Sequence, residues 1–163
     1  MSGIKHFSGF EVIRAAKEVE KNGHRFYSTM SERASDPALK DIFTWLALDE
    51  VEHLRRLNQL ESKYQDGSFA DCEEEFLQYL NRFADDKIFP DAERLEAVLK
   101  TENADLQALD MAIEAEVKFA EYFAKASSLA QSDDGREAFA WLAGEESRHA
   151  KILQERRAKY SAS

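Results

Sequence analysis

One cysteine, two prolines and six glycines are all that 163 residues contain of these types. The lone thiol, Cys72, can form no internal disulfide and no Cys-x-x-Cys metal site, which fits a reducing compartment and makes the cytoplasm the expected location. So few helix breakers, with no runs of β-branched residues, favour long helices over strands. No segment approaches the ~20 consecutive apolar residues that a membrane-crossing helix needs, and residues 1–10 lack an apolar run of signal-peptide length. Positive charge is also in deficit, with 22 Lys and Arg against 32 Asp and Glu, for a net charge of -10. Nucleic acid and anionic lipid select basic surfaces, so neither is an expected partner. The length suits a single domain, residues 1–163, with a substantial core.

What the chain does contain is a repeat. The stretch from Phe43 to Leu57 recurs 96 residues later from Phe139 to Leu153, and both copies carry Glu-x-x-His: Glu50 with His53, and Glu146 with His149. At a helical period of 3.6, Phe43, Leu46, Ala47, Leu54 and Leu57 make one apolar stripe with Glu50 at its centre. Asp49 competes with Glu50 as a partner for His53 but lies about 100° around the helix, towards the stripe's edge. Glu50 is therefore preferred as the inward acid, and Glu146 over Glu145 by the same geometry.

The chain order reads as two hairpins. Ser8 can cap a first helix over roughly 9–34, with Ile13, Ala16, Gly23, Tyr27 and Met30 on one face and Glu20 in its middle. Asp36 and Pro37 form an N-cap followed by an N1 proline, opening a second helix to about residue 63. The short turn makes the two antiparallel neighbours. Residues 64–102 break the pattern and read as a long crossover: a loop at 65–68, a short helix capped by Asp71 and running through Phe83, and another starting at Pro90. Asn103 is the candidate cap of a third long helix to about Leu129, with Leu109, Ala112, Phe119 and Phe123 inward around Glu116. After a turn at 131–134 a fourth helix runs to about Lys159. At the offset of 96, Ala16/Ala112, Glu20/Glu116, Trp45/Trp141, Glu50/Glu146 and His53/His149 coincide. The expected fold is all-α, a four-helix bundle built from a duplicated hairpin.

Glu20 lies 14 residues before the end of its helix and Glu50 13 after the start of the next, so both lie roughly 20 Å from their shared turn. Glu116 and Glu146 repeat the arithmetic. Packed as a bundle, the hairpins bring four carboxylates and two imidazoles to one level of the core. Uncompensated, each buried carboxylate would cost several kcal/mol, against a typical domain stability of ~5–15 kcal/mol. No lysine or arginine occupies the neighbouring inward positions. Two divalent ions would neutralise the four acids with one histidine each, and such oxygen-rich sites suit iron or manganese better than structural zinc.

A glutamate on each of two helices with Glu-x-x-His on each of the other two is the ferritin-like di-metal carboxylate pattern. Within it, Ala16-x-x-x-Glu20-x-x-x-x-x-Phe26-Tyr27 and Leu46-Ala-Leu-Asp-Glu-Val-Glu-His53 resemble the di-iron domain of rubrerythrin, over about residues 9–160. The resemblance implies two iron ions, bridged by Glu50 and Glu146, with Glu20 and Glu116 as terminal carboxylates and one ion each for His53 and His149. It implies a reduced centre that reacts with hydrogen peroxide or dioxygen, in a homodimer. Many rubrerythrins continue into a four-cysteine rubredoxin domain that is not found in these 163 residues, so electrons are expected from a separate donor protein. Rubrerythrin also has a further glutamate one turn after the third-helix ligand, where this chain has Phe119. That departure leaves iron binding or ferroxidation for storage or delivery, and hydroxylation of an organic substrate, as the other readings.

Five further residues lie outside the six-ligand set. Tyr27 can hydrogen-bond a ligand carboxylate or pack in the core. His24, whose repeat partner is Ala120, belongs beside the site or on the surface. Trp45 and Trp141 lie off the ligand face and suit packing between hairpins or subunits. Cys72 reads as a small buried hydrophobe.

Overall fold

The computed structural model describes residues 5–7, 9–63, 70–72, 88–130 and 133–162. Four long helices dominate it: α1 (Gly9–Arg33), α2 (Pro37–Lys63), α4 (Ala104–Leu129) and α5 (Asp133–Ala162). A short α3 (Ala92–Leu99) precedes α4. Two three-residue strands, β1 (Lys5–Phe7) and β2 (Ala70–Cys72), pair antiparallel with His6 opposite Asp71. The all-α bundle holds, with this ribbon added to it.

The turn between α1 and α2 is short because its residues cap one another. Asp36 accepts the Ala38 N–H at 3.0 Å, and Pro37 follows it at the first helical position, where a missing N–H costs nothing. From α4, Asp105 accepts the backbone N–H of Ser35 and Asp36 at 3.0 and 2.9 Å. The same Asp36 takes hydrogen bonds from Arg156 and Tyr160 near the end of α5. At the other end of α2, Lys63 meets Asp134 at 3.3 Å, at the start of α5. The two helices therefore run antiparallel.

Hydrogen bonds from Tyr160 and Arg156 hold Asp36 down at about 2, against an ordinary value of 3.8. Since the folded value is the lower one, this tie stabilises the fold above 3.8 and is lost as pH falls towards 2. The melting-temperature gap between wild type and Asp36→Asn, which keeps the cap, is expected to narrow through that window. A gap that stays constant with pH would contradict the tie.

Several expectations need correction. Asp71, the expected cap of a short helix, lies in a strand, because residues 70–72 pair with a segment more than 60 positions earlier, a contact local pattern cannot reveal. The remainder of that expected helix, the loop at 65–68 and the Ser8 cap lie outside the described residues. The short helix begins at Ala92, capped by Asp91, whose side chain accepts the Arg94 N–H at 2.9 Å; Pro90 precedes the cap. Asn103 sits at the cap position of α4 but makes no side-chain cap bond.

The core runs the length of the bundle between the hairpins. Phe26, Tyr27, Phe43 and Phe89 form one aromatic cluster with ring centroids 5.2–6.1 Å apart. Phe89 comes so close to α1 that a Cβ on Gly23 would lie 2.9 Å from its ring. In the second hairpin, Phe119, Tyr122, Phe123 and Phe139 form the counterpart cluster. The Tyr122 hydroxyl donates to the Val12 carbonyl at 2.8 Å, joining α4 to α1.

Candidate metal centre

Six polar side chains lie fully buried in this core: Glu20, Glu50, His53, Glu116, Glu146 and His149. Each long helix contributes, one glutamate from α1 and one from α4, and Glu-x-x-His from α2 and from α5. Three residues are just under one helical turn, so within each pair the acid and the imidazole share a face.

The six converge as two overlapping donor groups. Glu20, Glu50, His53 and Glu146 offer ligand atoms all within 4.8 Å of one another, and so do Glu50, Glu116, Glu146 and His149. Glu50 and Glu146 belong to both groups, while Glu20 with His53 and Glu116 with His149 complete one each. The imidazoles lie nearly parallel, 10° apart with centroids at 5.1 Å.

Both Nδ1 atoms face the acids. His53 Nδ1 stands 2.7 Å from Glu146 and 3.3 Å from Glu20. His149 Nδ1 stands 3.4 Å from Glu50 and from Glu116, and 3.5 Å from Glu146. Despite these short contacts, both oxygens of Glu20, Glu50 and Glu146, Oε2 of Glu116 and both nitrogens of His53 lack an aligned hydrogen bond. Lone pairs that converge on common points, rather than on each other's protons, are what a cation needs. Orphaned buried polar atoms are otherwise among the costliest features a core can carry. The donor set therefore fits divalent metal ions, with mostly oxygen ligands and one imidazole per group.

Without a cation the chain compensates with protons. Burial and the neighbouring Glu146 carboxylate push Glu50 up to about 7, and the same two causes raise Glu116 well above the usual carboxylate range. Burial acts against His53 and His149, yet the surrounding carboxylates hold both above an ordinary imidazole. Burial also opposes ionisation of Glu146, but close contacts with Glu116 and the two imidazoles keep it below the normal range. Metal ions entering such a site displace protons, so affinity rises with pH.

Two neighbours complete the centre. Tyr27 donates from its hydroxyl to Glu116 Oε1 at 2.6 Å while its ring packs in the core cluster, so both of its readings are realised. Its repeat-equivalent position is Phe123, and Glu20 accordingly has neither oxygen hydrogen-bonded. The repeat reverses the order of one aromatic pair, Phe26-Tyr27 against Tyr122-Phe123, and the two ends of the centre differ by one hydroxyl.

The second neighbour is Asp49, set aside above as a ligand beside Glu50. Its Oδ2 lies 2.6 Å from Nε2 of His149 and 3.7 Å from Nε2 of His53. A carboxylate behind an imidazole fixes which nitrogen carries the proton and turns the other nitrogen inward. The bond from His149 holds Asp49 below the usual carboxylate range. Its position one turn from His53 was the available signal, but the closer imidazole belongs to the other hairpin.

Trp45 packs edge-on against His149 and Trp141 against His53, each with centroids at 5.6 Å. They join the hairpins across the site, and Arg148 and Arg56 cover their outer faces. His24 stands apart, its Nδ1 3.0 Å from the Ala47 carbonyl. Phe119 is fully buried, with its ring 4.3 Å from Phe123, so an apolar contact fills the position one turn beyond Glu116. The Cys72 side chain lies outside the described residues.

The rubrerythrin family profile matches residues 11–154. No curated protein matches the chain. Among solved structures, a hypothetical protein from Pyrococcus furiosus superposes with a TM-score of 0.66, covering 91% of this chain and 87% of its own, at 19% identity. That likeness is one of fold. Among the described residues no helix is long and apolar enough to cross a membrane.

Proposed function

Because the chain belongs to the rubrerythrin family, we propose that it is a non-haem di-iron carboxylate oxidoreductase that reduces hydrogen peroxide or dioxygen with electrons from a separate donor. The observation that carries this reading is the pair of donor groups sharing Glu50 and Glu146. Two ions held that close supply, when bound, the two electrons that cleavage of an O–O bond requires. Glu20 with His53 would hold one ion and Glu116 with His149 the other, the shared glutamates spanning both.

The chain's own residues set the conditions. Full burial of all six donors keeps bulk water from competing for the ions and strengthens every charge interaction inside. Tyr27 holds Glu116 by one oxygen, leaving Oε2 for an ion, and keeps its own proton because burial and the Glu116 charge raise its pKa well above that of a free phenol. Asp49 holds the imidazoles from behind. We assign electron supply to a separate donor protein and the setting to a reducing cytoplasm; the one cysteine among these 163 residues fits both.

The test is stoichiometric. Anaerobically reduced, iron-loaded protein is mixed with one equivalent of hydrogen peroxide or dioxygen, and oxidant loss is followed beside the optical spectrum. Consumption at single-turnover rates supports the reading. If neither oxidant is consumed, or if oxidation proceeds only with ferrous iron in large excess and deposits mineral, the protein handles iron as cargo instead.

The tryptophans offer an independent check. Trp45 and Trp141 are the chain's two tryptophans, and each touches a histidine of the centre. Ferrous iron titrated into metal-free protein is therefore expected to quench most of the indole emission, saturating near two equivalents. Emission indifferent to iron would place the ions elsewhere.

A further inference from the structure

The repeat carries its aromatic frame across the centre almost unchanged. Tyr27 stacks on Phe43 with centroids 5.8 Å and planes 28° apart, and at the offset of 96 Phe123 stacks on Phe139 at 6.0 Å and 26°. Phe123 therefore stands towards Glu20 as Tyr27 stands towards Glu116, with one group missing: the hydroxyl that donates to Glu116 Oε1 at 2.6 Å. The second hairpin carries its hydroxyl on the neighbouring Tyr122, which donates instead to the Val12 carbonyl at 2.8 Å. Each hairpin thus has one tyrosine in this frame, but only Tyr27 reaches an acid.

The difference falls on the oxygens left for an ion. Both oxygens of Glu20 lack a hydrogen bond, whereas in Glu116 only Oε2 does. The rest of the two donor groups is matched, with the shared Glu50 and Glu146 and one imidazole each. A carboxylate with both oxygens free can close on one ion through both. Where one oxygen accepts a short charge-assisted bond from a phenol, that bond fixes the plane of the carboxylate and draws donor strength from that atom, so the ion is left the other oxygen. The group of Glu116 therefore offers its ion one protein donor fewer than the group of Glu20. Phe119, buried one turn beyond Glu116, supplies no atom to make up the difference.

We propose that Tyr27 is a positioning residue that makes the centre one-sided: by occupying Oε1 of Glu116 it keeps one coordination position of the neighbouring ion for a small exogenous ligand. Peroxide and dioxygen belong to that class, and so do inorganic anions such as azide. This rests on the di-iron reading above and adds to it which ion the ligand meets, the one held with Glu116 and His149. Glu20, with both oxygens available, closes the opposite end. Tyr27 acts through the glutamate it holds.

Azide added to the oxidised, iron-loaded full chain is the probe, followed by its charge-transfer absorption and by Mössbauer spectra that resolve the two ions. In wild type, azide is expected to bind at one equivalent per centre and to shift the signal of one ion. Tyr27→Phe releases Oε1 to compete for the open position and should bind azide about tenfold more weakly, the change expected from one charge-assisted hydrogen bond. Phe123→Tyr places a hydroxyl opposite Glu20 and should let both ions respond. The double variant Tyr27→Phe/Phe123→Tyr should regain wild-type affinity, a rescue that a hydroxyl serving only to pack the core cannot produce from the other hairpin. Azide shifting both signals equally in wild type would overturn the proposal without any variant, as would wild-type affinity in a Tyr27→Phe protein that still holds two ions. Fewer than two ions in loaded wild type would instead remove the di-iron reading, and this inference with it.

Discussion

Glu50→Gln is expected to lose metal at both donor groups, whereas Glu20→Gln loses it at one. Glu50 belongs to both groups and Glu20 only to the group with His53, so metal content after dialysis should fall from about two ions to near none in the first variant and to about one in the second. The effect on stability should be as large. Each ion present at ~100 times its dissociation constant adds about 2.7 kcal/mol to the folded state, and two add about 5. For a chain of this size that corresponds to roughly 10–20 °C in melting temperature between loaded and chelated wild type.

The sign reverses once the metal is gone. In the chelated protein Glu50 is a fully buried acid raised by desolvation and by Glu146, and neutral glutamine removes that burden. Chelated Glu50→Gln should therefore melt at or above chelated wild type while gaining little from added iron. Calorimetry with and without chelator, beside elemental analysis, reads both effects. Equal melting temperatures for loaded and chelated wild type would mean that these six side chains hold no ion.

Asp49→Ala is expected to weaken metal binding 10–100-fold without removing a donor from either group. Asp49 stands behind both imidazoles, at 2.6 Å from His149 and 3.7 Å from His53, so the group containing His149 should weaken more. Glu145, its equivalent in the repeat, is the internal control. It pairs with Arg148 at 2.8 Å on the surface, and Glu145→Ala should leave affinity within a fewfold of wild type. A titration of the metal-free proteins followed by tryptophan emission distinguishes the two variants. Equal affinity for Asp49→Ala and wild type would reduce the carboxylate to a surface charge that happens to lie near a histidine.

Much of this architecture was legible before any coordinates. A 3.6-residue apolar period, a proline at the first position of α2 and an offset of 96 that superimposes acids and histidines as well as apolar residues point to one duplicated hairpin. Glu20 and Glu116 stood out because a glutamate at the centre of an apolar stripe is too costly to bury without a partner. The short elements were harder to see. Asp71 lies in a strand because Lys5–Phe7 reaches it from the far end of the sequence, and no local propensity encodes that meeting.

The sequence by itself determined which side chains face inward and at what height, because both follow from helical rise and period within one element. Only the tertiary structure decided how the two ends of the centre differ. Whether Tyr27 reaches Glu116, and whether Asp49 leans on the histidine of its own helix or on that of the other hairpin, depends on how closely and at what rotation two separate helices pack. Those distances arise from the fit of the whole core, Phe26 to Phe139, and no single segment carries them.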